Sequence, residues 1–267
     1  MSAQLTFIGA GNMAQALTGG LLAQGWPAAR ITLADTNAET LAALGARLGV
    51  ATSGDNLSAA RQTDIILLAV KPQVMEQVCR ELAPAIDQQL VISIAAGITT
   101  AKLQQWLGTD KLVRVMPNTP ALVQTGAAGL YASVGVSAEQ KQQAASILES
   151  AGLALWFEQE SALDAVTAVS GSGPAYFFLL MEGMIAAARQ LGLDADSAKQ
   201  LVLQTSLGAA RLACSSEDDP ATLRRKVTSP GGTTAAAIGV FEQAGFVALV
   251  EQALAAANQR SLELSGN

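Results

Sequence analysis

The chain has 267 residues, half of them hydrophobic, with a net charge of -6 and no histidine. An acidic chain binds the phosphate backbone of nucleic acids poorly, so a small soluble metabolite is the favoured ligand. The cysteines Cys79 and Cys214 are far apart in sequence, which argues against a disulfide framework or a zinc site, and both are expected to be core thiols. We therefore expect neither a metal ion nor a nucleic-acid partner.

Short apolar runs alternate with helix-period segments along the first 160 residues. Runs that are apolar at consecutive positions are typical of strands buried on both faces of a parallel sheet. The predicted strands are 5–9, 31–35, 64–70, 89–97, 112–117 and 153–158, and early helices are predicted at 14–23, 38–48 and 74–82. This βαβ pattern predicts an α/β fold with an N-terminal Rossmann-type doubly wound sheet over residues 1–160.

Residues 161–267 have a helical pattern throughout, which predicts an all-α second domain. Pro174 is expected to interrupt a helix at about residues 170–174. The segment 175–188 is apolar nearly all round but is too short to span a bilayer, so it should be buried on every side. We expect it to pair with a second copy of the chain in an obligate homodimer. No basic leader precedes the first strand, so we expect a cytoplasmic protein without a membrane partner.

The first predicted strand runs into the sequence GAGNMA, with Gly9, Gly11 and Ala14 at GxGxxA spacing. The first glycine permits a tight turn, the second lets the backbone approach a pyrophosphate, and the small Ala14 lets the helix pack on the strand. The motif is weak by itself, but its place between a strand and a helix predicts a dinucleotide site.

Asp35 ends the second predicted strand, where an acidic residue usually accepts hydrogen bonds from the adenosine ribose. That position favours NADH over NADPH. Alternatively, Asp35 caps the helix that follows, since Asp35, Thr36 and Asn37 are all good N-cap residues. The later strands end in AVKP, AAG and MPNTP, which align small residues with the glycine loop at one edge of the sheet.

The absence of histidine excludes the hydroxy-acid dehydrogenases that move a hydroxyl proton with that residue. The 3-hydroxyacid dehydrogenases need a lysine shortly after a glycine-rich element, and here none precedes Lys199 in that region. Reduction of a carbonyl generates an alkoxide that needs a proton donor, whereas a protonated imine accepts hydride directly. The sequence therefore favours reduction of a C=N bond.

Six motifs, FIGAGNMA, AVKP, SIAAG, MPNTP, VSGSGPAY and SPGGTT, occur in an order and spacing that resemble the pyrroline-5-carboxylate reductase family over essentially the whole chain. The resemblance implies reduction of 1-pyrroline-5-carboxylate to L-proline with NADPH or NADH, the last step of proline biosynthesis. It also implies a C-terminal helical domain that interlocks two subunits, and a ring of five dimers is known in the family. The turn ADTN after the second strand departs from the serine-rich turn of NADPH-preferring members.

The resemblance implies a set of site residues. The substrate loop, supplied in the family by the partner subunit, would hold the carboxylate on the amides of Thr233 and Thr234, with the catalytic Thr234 hydroxyl near the ring nitrogen. The substrate-binding residues are Ser229, Gly231, Gly232, Thr233 and Thr234. The cofactor-binding residues are Ile8, Gly9, Ala10, Gly11, Asn12, Met13, Asp35, Asn37, Asn56, Ala69, Val70, Lys71, Pro72, Ala95, Ala96, Gly97 and Asn118.

Several roles stay open at this point. Lys226 could meet a cofactor phosphate or be a solvated lysine, Ser170 and Ser172 could line the pocket or tolerate the helix break, and Glu217 lies near the substrate loop in sequence. A reductase of another cyclic imine would keep every motif. A catalytically silent dinucleotide sensor is the alternative that is not an enzyme.

Overall fold

The computed structural model describes residues 3–266, and the chain divides by its internal contacts into two compact units. The first unit extends to Ser172 and includes the residues from Ala257 onward, and the second is Gly173–Ala256. The expected domain ranges, 1–160 and 161–267, remain a prediction. By contacts, residues 161–172 and the end of the last helix belong with the first unit.

The first unit is built on an eight-stranded sheet with the strand order β3-β2-β1-β4-β5-β6-β7-β8. All neighbouring strands are parallel except β6 and β7, which pair antiparallel. The strands are β1 (Leu5–Ile8), β2 (Ile31–Ala34), β3 (Ala51–Ser53), β4 (Ile65–Leu68), β5 (Leu90–Ser93), β6 (Leu112–Met116), β7 (Gly126–Ala132) and β8 (Gly152–Trp156). The predicted Rossmann-type sheet is confirmed.

Helices connect most of the strands and make up the second unit. Those before residue 173 are α1 (Asn12–Ala23), α2 (Ala38–Leu48), α3 (Asn56–Arg61), α4 (Pro72–Leu82), α5 (Thr100–Leu107), α6 (Ala138–Glu149) and α7 (Ala162–Val166). Those that follow are α8 (Gly173–Gln190), α9 (Ala195–Ser215), α10 (Pro220–Lys226), α11 (Thr233–Gln243) and α12 (Phe246–Ser265). The helical character predicted for the C-terminal part is confirmed.

The central strands are buried on both faces, as their continuous apolar sequence predicts. Phe7 and Leu67 belong to one hydrophobic cluster, while their strand neighbours Ile8 and Leu68 belong to another. Because successive side chains of a strand point to opposite faces, each cluster covers one face of the sheet. The covered faces leave the carboxyl ends of the strands as the edge at which a ligand can bind.

Two strands carry no clear signal in the sequence. β3 is a three-residue edge strand with mostly exposed side chains, so it shows no apolar run. β7 contains glycines at 126 and 129 and three alanines, which have low strand propensity. Its pairing with β6 and β8 defines it as a strand, and such long-range partners are not visible in a local window.

The predicted helix break is present as a turn of π-helix, Thr167–Gly171, between α7 and α8. The amide of Ser172 donates to the carbonyl of Thr167 at 2.8 Å, five residues back, and Pro174 follows in the first turn of α8. Proline is tolerated there because the first-turn amides of a helix have no intrahelical partner.

The helical unit buries few of its own side chains. On α8, Phe177, Phe178 and Leu179 are 65%, 61% and 69% exposed in the single chain. An apolar surface of this kind needs a partner, in agreement with the predicted self-association.

Cys79 is buried, and burial raises the pKa of its thiol to about 12. The expectation of a core thiol is wrong for Cys214, which is exposed because α9 lies in this thinly packed unit.

Among the described residues, no single helix is long and apolar enough to cross a membrane. Thr233–Gln243 and Phe246–Ser265, bent by 53° to one another, have the necessary length and composition only when taken together.

Candidate functional site

The glycine loop after β1 is held against the end of β4. Gly9 has φ +98°, and a Cβ atom placed on it would lie 2.8 Å from the carbonyl oxygen of Ala69. The amide of Ala69 in turn donates to the carbonyl oxygen of Ile8 at 2.8 Å. Both the left-handed backbone and the close approach require glycine at position 9. The loop and the AVKP segment therefore lie together, as predicted from their places at strand ends.

Gly11 is the N-cap of α1 and offers open space in front of the helix. It supplies no capping side chain, so the first-turn amides of α1 are left without an intrahelical partner. A Cβ atom on Gly11 would have no heavy atom within 4 Å among the described residues. An uncapped helix N-terminus with free space before it fits the pyrophosphate of a dinucleotide.

Asp35 joins the end of β2 to the glycine loop. Its Oδ2 accepts a hydrogen bond from the amide of Ala10 at 2.8 Å, and its Oδ1 accepts one from the amide of Asn37 at 2.9 Å. The N-cap of α2 is Asn37, whose Oδ1 accepts from the amide of Thr40 at 2.9 Å. The alternative that Asp35 caps this helix is therefore wrong, and its carboxylate lies at the rim of the dinucleotide loop.

The remaining strand ends follow the same edge of the sheet. The AVKP segment leads directly into α4, with Lys71 as an exposed N-cap that provides no side-chain cap and Pro72 as the first helical residue. After β5, Ala95 and Gly97 are buried while Ala96 between them is exposed. Ala96 is therefore the residue of this segment that is available to a ligand.

Two asparagines predicted to contact the cofactor differ in their surroundings. Asn56 begins α3, and its buried Oδ1 has no hydrogen-bond partner within residues 3–266. A buried acceptor without a partner is costly, so this oxygen fits a ligand donor. The Asn118 side chain instead donates to the carbonyl of Ser170 at 3.0 Å and accepts from the amide of Ala127 at 2.8 Å. Those bonds give Asn118 a structural role, and its cofactor contact stays a prediction.

The SPGGTT segment forms a glycine turn in front of α11. The amide of Gly232 donates to the carbonyl of Ser229 at 3.0 Å, and Gly231 adopts φ +70°. Gly232 is the N-cap of α11 and supplies no side chain, so the amides at the start of Thr233–Gln243 lack intrahelical partners. Thr234 is the second residue of the helix. This turn has the local geometry expected of a small-anion site.

The N-caps of α1 and α11 are glycines, and α4 and α7 also begin without a side-chain cap. Side chains cap α2, α3, α5, α6, α9 and α10, through Asn37, Asp55, Thr99, Ser137, Asp194 and Asp219. Asp219 accepts hydrogen bonds from the amide and the side chain of Thr222, which hold the pKa of its carboxyl below the usual range, and bonds from the side chain and amide of Ser197 do the same for the pKa of Asp194. The glycine-capped ends keep their first-turn amides for another acceptor.

The residues with open roles are mostly engaged within the chain. Lys226, the last residue of α10, is 62% exposed and forms a surface ion pair with Asp218, as expected of a solvated lysine at a helix end, while its contact with a cofactor phosphate stays a prediction. The Ser170 hydroxyl donates to the carbonyl of Val166 at 3.0 Å, as expected of a serine in a distorted helix. Glu217 is exposed.

Sequence reasoning missed an ion pair between the buried Arg114 and the partly buried Glu160, next to the SIAAG segment. Arg114 of β6 donates to Glu160 at 3.0 Å, and Glu160 also accepts from the amide and the hydroxyl of Thr100, at 2.8 Å and 2.5 Å. The pair therefore fixes the start of α5, the helix that follows residues 95–97. The available signal was Arg114 itself, a charge inside the apolar run LVRVM.

Comparisons with known proteins cover nearly the whole chain. A family model described as "Pyrroline-5-carboxylate reductase dimerisation" matches residues 160–264, and one described as "NADP oxidoreductase coenzyme F420-dependent" matches residues 4–97. A pyrroline-5-carboxylate reductase of Pseudomonas aeruginosa is 55% identical over 264 residues, which are 98% of this chain and 97% of the relative.

Two solved structures share the fold closely. That of a pyrroline-5-carboxylate reductase from Coxiella burnetii is 44% identical with a TM-score of 0.96, and the match covers 99% of each chain. That of the Plasmodium falciparum enzyme with NADP bound is 30% identical with a TM-score of 0.86, and the match covers 99% of this chain and 98% of the other.

Proposed function

This chain belongs to the pyrroline-5-carboxylate reductase family and reduces 1-pyrroline-5-carboxylate to L-proline with NADPH or NADH, and we propose which of its residues carry the reaction. The observation that supports the assignment most is the pair of glycine-capped helices, α1 and α11. A reductase of this class must bind two anions, a dinucleotide and a substrate carboxylate, and each helix N-terminus suits one of them.

In this proposal the cofactor binds at the edge of the sheet formed by the carboxyl ends of its parallel strands. The amides at the start of α1 would hold the pyrophosphate, and Asn56 Oδ1, a buried acceptor unpartnered within residues 3–266, would accept a bond from the adenosine end. Residues 69–72 would contact the nicotinamide half, together with the segment 95–97 through its exposed Ala96. When bound, the reduced nicotinamide supplies the hydride.

In this proposal the substrate binds to the turn formed by residues 229–234. The amides of Thr233 and Thr234 point along the axis of α11 and are free of intrahelical partners, so they can hold a carboxylate. The turn contains no lysine, unlike a nucleotide phosphate loop, which fits a small anion better than a polyphosphate. Binding the carboxylate there would fix the position of the attached ring.

The Thr234 hydroxyl completes the reaction centre in this proposal. The ring nitrogen is protonated before reduction, so hydride adds to the carbon of the C=N bond and its π electrons become the nitrogen lone pair. No alkoxide forms, and no histidine is needed. Thr234 would orient the nitrogen by a hydrogen bond, which lowers the barrier by positioning.

The proposal extends to assembly and location. The exposed apolar side chains of α8 support self-association, while assembly of five dimers and contribution of residues 229–234 by the partner subunit stay predictions from the family resemblance. We also propose a cytoplasmic location, supported by two free cysteines, which are typical of reducing compartments.

The direct test is consumption of NADPH and of NADH in the presence of 1-pyrroline-5-carboxylate, followed by identification of L-proline. Turnover with at least one cofactor is expected. Binding of NADPH without turnover would instead support the dinucleotide sensor. Cyclic imines of other ring sizes form the second arm, and faster turnover of one of them would reassign the substrate.

A further inference from the structure

The loop between β5 and α5 rests on the end of the last helix. Gly97, in this loop, has φ +74°, and a Cβ atom on it would lie 3.2 Å from the carbonyl oxygen of Leu264. The backbone at position 97 therefore packs directly on the last turn of α12. Movement of that turn would move the loop that contains Ala95 and Ala96.

Two polar contacts hold the last turn of α12 in this place. The Lys102 Nζ donates to the carbonyl oxygen of Ser265 at 2.9 Å, which satisfies a helix-end carbonyl and puts a cation at the negative end of the helix. The Ser261 hydroxyl donates to Asp164 Oδ1 at 2.6 Å, and both residues are buried. Lys102 lies on α5, the helix that follows the loop, so its bond joins α5 to the last turn of α12.

The contact between Asp164 and Ser261 of α12 is a hydrogen bond between two buried side chains. Asp164 is 1% exposed, and its Oδ2 has no hydrogen-bond partner within the part of the chain that the structure describes. A buried carboxylate with one unsatisfied oxygen is costly, and the bond from Ser261 offsets part of that cost. Loss of Ser261 would leave both oxygens unsatisfied, so Asp164 strongly favours the docked position of α12.

We infer that the last turn of α12, held by Lys102 and by the Ser261–Asp164 bond, positions residues 95–97 for hydride transfer. The inference rests on the proposed contact of residues 95–97 with the nicotinamide half. Lys102 and Ser261 are positioning residues, since each acts through the backbone of α12. A small displacement of a positioning loop lowers the rate steeply, because transfer requires the reacting atoms in a narrow range of geometry.

The test compares Lys102→Met with Lys102→Arg and with Lys141→Met, a control at an exposed lysine of α6. The first measurement is hydrogen–deuterium exchange of the segment 94–100 in the enzyme without cofactor. Lys102→Met is expected to raise its exchange rate about tenfold, while Lys102→Arg and Lys141→Met leave it within twofold of wild type. Ser261→Ala, which removes one hydroxyl, is also expected to raise the exchange rate of the segment 94–100.

The second measurement determines kcat and KM separately. It is made with NADPH and with NADPH deuterated at C4, which also gives the isotope effect on hydride transfer. Lys102→Met is expected to lower kcat about tenfold, to leave KM for the imine within twofold, and to raise the isotope effect because hydride transfer becomes slower. Unchanged exchange of 94–100 in both Lys102→Met and Ser261→Ala would overturn the inference, as would an equal loss of kcat in Lys141→Met. Lack of turnover by the wild type would instead refute the proposed function.

Discussion

The carboxylate of Asp35 accepts a hydrogen bond from the amide of Ala10 at 2.8 Å, which ties the end of β2 to the dinucleotide loop. If the adenosine ribose lies at this rim, as proposed, a fixed negative charge there would repel the additional phosphate of NADPH. We expect Asp35→Asn to shift the ratio of kcat/KM for NADPH over NADH about tenfold toward NADPH, the size of a charge interaction across a few ångströms of partly screened space.

Steady-state kinetics with both cofactors measures this ratio, with Asp87→Asn as a control at an exposed loop carboxylate. An unchanged ratio in Asp35→Asn would show that the charge of Asp35 does not select between the cofactors.

Gly9 and Gly11 should respond differently to alanine. Gly9→Ala places a Cβ atom on a backbone with φ +98° and 2.8 Å from the Ala69 carbonyl oxygen, so it should destabilise the fold by about 2 kcal/mol. Gly11→Ala meets no neighbouring atom, so it should lower stability only by the cost of a poorer N-cap, about 0.5–1 kcal/mol. Its Cβ atom would occupy the space proposed for the pyrophosphate, so the Kd for NADPH should rise about tenfold or more.

Thermal unfolding and NADPH fluorescence titration distinguish the two effects. If Gly11→Ala bound NADPH as tightly as wild type, the pyrophosphate would have to lie elsewhere than at the N-terminus of α1.

Within the Arg114–Glu160 pair, replacing Glu160 should lower the free energy of unfolding more than replacing Arg114. Glu160→Ala leaves the Arg114 guanidinium buried without its partner and removes the acceptor of the Thr100 amide, so we expect a loss of about 3 kcal/mol. Arg114→Met should cost less, since Glu160 keeps both bonds from Thr100 and its side chain is 21% exposed.

Urea unfolding at a fixed protein concentration measures both variants and their combination. The double variant should cost less than the sum of the single ones, because the residues contact each other. Strict additivity would mean that the pair makes no net interaction.

The sequence predicted the parts of the fold that rest on local pattern. The apolar runs in β1, β2, β4, β5 and β6 and the glycine spacing at 9 and 11 record burial and backbone conformation at their own positions. β7 and the bonds of Asn118 depend on partners distant in sequence, such as Ser170 and Ala127, so a local window contains no trace of them. Glu160 was missed for the same reason, since its partners lie 46 and 60 residues away.

Self-association should depend on the exposed apolar side chains of α8. Phe178→Glu puts a charge on a side chain that is 61% exposed in the single chain, and we expect the dimer dissociation constant to rise about thirtyfold or more, as for a buried aromatic anchor. The matched control is Val134→Glu, a 97% exposed apolar residue of the first unit.

Sedimentation equilibrium measures the dissociation constants of both variants. Equal self-association of Phe178→Glu and wild type would contradict the assignment of α8 to the interface between copies of the chain.

The most direct test of the central claim is the turnover of 1-pyrroline-5-carboxylate by Thr234→Ala, compared with wild type and with Thr234→Ser. Loss of a positioned hydroxyl should lower kcat about 100-fold, with the KM for NADPH within twofold, and serine should restore most of the rate. A Thr234→Ala enzyme that keeps the wild-type kcat would contradict the account, because the α11 turn would then bind the carboxylate without taking part in the reduction.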